Sequence, residues 1–156
     1  MTAAGAATSA VAGPDAAGGA GGAGAALPSA QAWQAAAQRR PDLFAPLDAG
    51  ARVALLARAQ PESMLLWQVE EAGVAVRAEP FAGYAASGAD IALACDDEAL
   101  AGVRAAASDQ LFETLRAGIR SGHIVCYILR RRCHLEERGF EELLTELGFA
   151  FMGACR

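Results

Sequence analysis

The large apolar side chains of this chain start late: Leu, Ile, Val, Met and the aromatic residues lie almost wholly after residue 27. A chain folds by burying such groups, so this distribution sets where a domain can be. Residues 1 to 28 hold one charge, Asp15, and the run Gly18-Gly19-Ala20-Gly21-Gly22-Ala23-Gly24. They cannot offset the entropy of ordering a backbone, which predicts a disordered Ala/Gly-rich tail over 1–28. No strand precedes these glycines and no Lys-Ser or Lys-Thr follows, so they read as linker and not as a phosphate loop. What remains, 29–156, suffices for one domain and not two. The hydrophobic content of 54% overstates the core, because 40 of the 156 residues are alanine.

All thirteen basic residues are arginine; lysine and asparagine are absent. That excludes a Walker-type phosphate loop, a Schiff-base lysine and a kinase catalytic loop. The net charge of -5 disfavours nucleic-acid binding. The opening Met1-Thr2-Ala3-Ala4-Gly5 has no charge before an apolar run, so it does not read as a secretory signal, and a cytoplasmic location is expected. Residues 16–38 are uncharged yet too weakly apolar to span a bilayer, so no membrane partner is expected. In a reducing compartment Cys95, Cys126, Cys133 and Cys155 are expected as free thiols.

Periodicity gives the elements. Ser29 caps a helix from Ala30 to Arg40, stopped by Pro41. Asp48 caps a second from Ala49 to about Gln60, and Pro61 opens a third that runs to Gly73, so 29–72 reads as a helical subregion. After Gly73 the period changes to 2, giving an edge strand over Val74–Glu79. Ile91–Cys95 reads as a short strand buried on both faces, followed by a helix from Asp96 to Gly122, with a break possible at Ser108-Asp109. His123–Leu129 is the strongest strand signal and is placed in the centre of the sheet. Glu136–Leu147 reads as a helix and Phe149–Met152 as a last strand. The fold expected is α/β or α+β: a small mixed four-stranded sheet whose half over 73–156 has βαβαβ-like grammar, packed with the N-terminal helices.

If those last three strands run parallel, their C-terminal ends share one edge, where open α/β sheets bind ligands. Asp96 and Asp97, then Arg130, Arg131 and Arg132, then Cys133 and His134 would gather there; the acids and arginines are candidate ligand-binding residues, Cys133 a candidate nucleophile and His134 its base. Antiparallel strands would scatter the set. Asp96-Asp97-Glu98 after a strand resembles the receiver domains of two-component signalling over residues 91–107, but the next strand ends in Arg130 and there is no lysine, so the resemblance fails. His123 and Cys126 are three apart on a strand and point to opposite faces, and there is no Cys-x-x-Cys pair, so neither a metal nor another cofactor is implied.

With no complete catalytic constellation, the first reading is a non-enzymatic protein-interaction or regulatory module. Its partner, or a second copy, would meet the Ala-rich, sparsely anchored helices over 29–60. The alternative is small-molecule or anion binding at the strand-end edge, with a thiol-dependent activity as one form of it.

Overall fold

The computed structural model of the chain describes residues 26–149. Residues 1–25 of the expected tail and 150–152 of the expected last strand lie outside them. Leu27, within the stretch expected as tail, packs against the core.

Helix α1 (Ala30–Arg39) starts where the sequence places it: the Ser29 hydroxyl accepts a hydrogen bond from the Ala32 N–H at 3.1 Å, and Trp33, Ala36 and Ala37 form its buried stripe. Pro41 then opens a short α2 (Pro41–Phe44), whose first turn has no use for the missing N–H.

The expected helices over 49–60 and 61–73 are strands β1 (Arg52–Ala57) and β2 (Ser63–Glu70). The reason is burial on both faces. Val53 and Leu55 face the helices, while Ala54 and Leu56 face the opposite side. Such a strand shows no polar alternation, and a short apolar run mimics a helical stripe. A two-residue turn leads to β3 (Gly73–Pro80), the edge strand that its period-2 pattern predicts. The loop 81–90 carries Phe81 and Tyr84 onto the face away from the helices and delivers β4 (Ile91–Cys95) beside β1, buried throughout.

Helices α3 (Asp97–Ala105) and α4 (Leu111–Ser121) take up the long helical pattern, broken around Ser108-Asp109. Strand β5 (Ile124–Ile128) follows, then two short helices, α5 (Arg132–Glu137) and α6 (Glu141–Glu146), in place of one. Gly139 makes that break: its φ is +83°, and a Cβ there would run into the Pro46 carbonyl.

The sheet is five-stranded, not four-stranded, with order β3-β2-β1-β4-β5. Only β1 and β4 pair in parallel; β5 pairs antiparallel to β4, with Ile91 opposite Ile128 and Cys95 opposite Ile124. The expected βαβαβ grammar therefore fails at its first crossover, from β4 to β5, and among the described residues β5 is an edge strand and not the central one. Its apolar composition on both faces reads as a central strand, yet only its first residue, Ile124, is fully buried, and Tyr127 and Ile128 are exposed. The main core lies between the sheet and the helices, around Trp67, which stacks between Trp33 (centroids 4.0 Å) and Phe112 (5.4 Å).

Candidate functional site

The antiparallel β5 separates the residues that the sequence groups. Asp96 lies at the end of β4 beside the start of β5; Arg130, Arg131 and Arg132 lie past its other end, roughly 20 Å away at about 3.3 Å per residue. The shared strand-end edge does not exist.

Asp96 is the N-cap of α3. One carboxylate oxygen accepts from the Ala99 N–H at 2.8 Å, and the other meets His123 Nδ1 at 2.6 Å, with the Arg58 guanidinium 3.7 Å away. The Ala99 bond, with His123 next in weight, holds the Asp96 carboxyl below the usual range, and Asp96 in turn raises His123. Asp97 is exposed in the first turn of α3. Glu98 stands 3.7 Å from His123 Nε2. This pair has the geometry of an oriented imidazole but lacks a nucleophile: Cys95, next in sequence, is 1% exposed, and burial, followed by the Asp96 charge, pushes its thiol up to about 12.

At the opposite end the Asp90 carboxylate is buried. It accepts from the Arg52 N–H at 2.9 Å and meets Arg130 Nε at 3.3 Å and Arg138 Nη1 at 3.5 Å. Arg130 thus ties the end of β5 to the start of β4, where a side-chain partner already occupies it. Arg131 is the N-cap residue of α5 and Arg132 its first residue, both exposed. Cys133 and His134 are consecutive in α5, about 100° apart around its axis, so they do not face one site. Cys133 is disulfide-bonded, which corrects the expectation of a free thiol; Cys95 and Cys126 are free. Among the described residues no group of three His, Cys, Asp or Glu side chains could hold a metal.

The site that sequence reasoning missed is a groove of about 440 Å³ between the helices and the β2–β3 hairpin. Its floor is Ala37 of α1, Phe44 of α2, Leu47, Val69 and Val74; small side chains at Ala45 and Ala49 leave the space open. Gln34 of α1 donates to the Val74 carbonyl and fixes the helix against β3. Gly73, at φ +133°, completes the tight turn that carries Glu70 and Glu71 to the groove's mouth. Arg77 pairs with Glu70 at 2.9 Å, so the mouth is acidic but partly compensated. The one signal in the sequence was the Ala-rich stretch over 29–60; the hairpin wall was hidden by reading 61–73 as a helix.

These elements define a mixed α/β protein: a five-stranded mixed sheet with its helices on one face. A solved structure named "UbiJ-SCP2 Ubiquinone synthesis protein" is similar to it at 20% identity and a TM-score of 0.39, over 74% of this chain and 87% of that one. No protein-family model matches the sequence, and comparison with curated proteins gives no match. No helix among the described residues is long and apolar enough to cross a membrane.

Proposed function

We propose that this protein is a non-catalytic binding module that holds a small, largely apolar ligand with an uncharged or cationic end in the groove between α1–α2 and the β2–β3 hairpin. The groove itself carries the reading: about 440 Å³ falls within the 300–1,000 Å³ typical of small-molecule sites, and an apolar floor under a few polar groups is their usual lining. Glu70 and Glu71 at the mouth disfavour a carboxylate or phosphate there. The reading keeps the non-enzymatic character expected from the sequence and moves small-molecule binding from the sheet edge to the helix–hairpin groove.

The test is a titration with the neutral apolar fluorophore N-phenyl-1-naphthylamine. Saturable 1:1 binding is expected, weakened at least about tenfold by Ala45→Trp, since an indole filling the groove removes roughly a CH₂-rich contact surface worth more than 1.4 kcal/mol. Ala45 is exposed, so this variant should keep its fold. Binding that is unsaturable, or unchanged in Ala45→Trp, contradicts the reading.

A further inference from the structure

The two edges of the sheet differ in kind. On the β3 edge Arg77, Glu79 and Pro80 interrupt the strand, the charges and proline that natural sheets use to block pairing with another chain. The β5 edge has none of these: Ile124-Val125-Cys126-Tyr127-Ile128-Leu129 is free of charge and proline. Tyr127 and Ile128, 38% and 46% exposed, are the exposed large hydrophobic residues of the described chain.

The hydrogen-bond parity identifies which backbone groups this edge offers. The Leu129 N–H donates to the Asp90 carbonyl at 2.9 Å, and the Asp96 N–H donates to the His123 carbonyl at 3.0 Å. Odd-numbered residues of the stretch therefore face β4, and Ile124, Cys126 and Ile128 turn their N–H and C=O groups outward.

We infer that the β5 edge is a self-association surface, where a second copy of this chain adds its own β5 in antiparallel register to make one continuous sheet. Two observations select a second copy. First, the outward set is self-complementary: a two-fold axis at Cys126 places Ile124 opposite Ile128 of the second copy and Val125 opposite its Tyr127, so all five residues pair. Second, the two ends of β5 are opposite in charge. Asp96, Asp97 and Glu98 flank its start, where Arg58 and His123 compensate them only in part, and Arg130, Arg131 and Arg132 follow its end, where the buried Asp90 carboxylate takes up part of the Arg130 charge. Antiparallel pairing brings the basic end of each copy to the acidic end of the other. This surface lies apart from the groove and does not depend on its occupant.

Sedimentation equilibrium on the full chain, with amide hydrogen exchange across the same concentrations, tests it. The expected result is a species of twice the 16.0 kDa of one chain, in which the Cys126 and Ile128 amides gain protection as concentration rises. Raising salt to about 0.5 M should weaken it several-fold. Ile128→Lys should give monomer with unchanged circular dichroism; the exchange measurement needs no variant and stands if that one misfolds. A monomer throughout with fast-exchanging Cys126 and Ile128 amides, or a dimer that leaves those amides unprotected, overturns the inference.

Discussion

Trp67 lies flat against Trp33, the ring planes 9° apart and the centroids 4.0 Å apart, and its indole N–H donates to the Trp33 carbonyl at 3.1 Å. This contact joins β2 to α1 and fixes the helix that forms one wall of the groove. With Phe112 on its other face and Phe44 edge-on at 5.3 Å, Trp67 is the centre of the helix–sheet core. Trp67→Ala should destabilise the protein by about 3–5 kcal/mol in chemical denaturation, the usual cost of removing a fully buried large aromatic. A loss below about 1 kcal/mol would contradict that central place.

Gly139 separates α5 from α6 and lets the chain pass against Pro46, next to the bond from the Asp48 N–H to the Arg138 carbonyl at 3.1 Å. Gly139→Ala meets two costs: about 1–2 kcal/mol for a left-handed alanine, and a displacement of the Pro46–Leu47 backbone. Gly83, also at positive φ but with open space around it, provides the control. Thermal unfolding should rank Gly139→Ala well below Gly83→Ala; equal losses would show that the close approach to Pro46 carries no energy.

The His123–Asp96 pair predicts a definite pH window. Asp96 raises His123 above its ordinary 6.5, so the histidine's contribution is complete below about 6.5 and is lost as pH rises through the higher folded value. Asp96 is held below its ordinary 3.8, so its contribution is present above about 3.8 and is lost as pH falls through the lower folded value. The cap of α3 is therefore firmest between those two ordinary values. An NMR titration of the His123 ring checks this: an apparent pKa above 6.5 that drops in Asp96→Asn is expected, and titration at or below 6.5 would contradict it.

Elements were legible where one side of the chain sees water or a local chemical signal marks an end. Ser29 and Pro41 bound α1, and the alternation of Val74, Val76 and Ala78 marks β3. They were not legible where burial erased the alternation: Ala54-Leu55-Leu56 and Met64-Leu65-Leu66-Trp67 are apolar on both faces, and the coincidental spacing of Val53 and Leu56 read as a helix. Strand direction was out of reach altogether, because nothing within Ile124–Ile128 records whether β4 runs with it or against it. That one unknown moved Arg130–Arg132 from beside Asp96 to the far end of the strand. The groove was half legible, since its helical wall is the Ala-rich segment that lacks large anchors while its other wall is the hairpin misread as a helix.

Occupancy of the groove is read residue by residue from amide shifts in an NMR titration of the full chain with decylammonium and, separately, decanoate. Decylammonium is expected to give saturable shifts concentrated at Ala37, Phe44, Ala45, Val69 and Val74, with decanoate binding several-fold more weakly because Glu70 and Glu71 stand at the mouth. Shifts centred on the Arg130–Arg132 end or on the face of Tyr84, or tighter binding of decanoate, would contradict the proposed function.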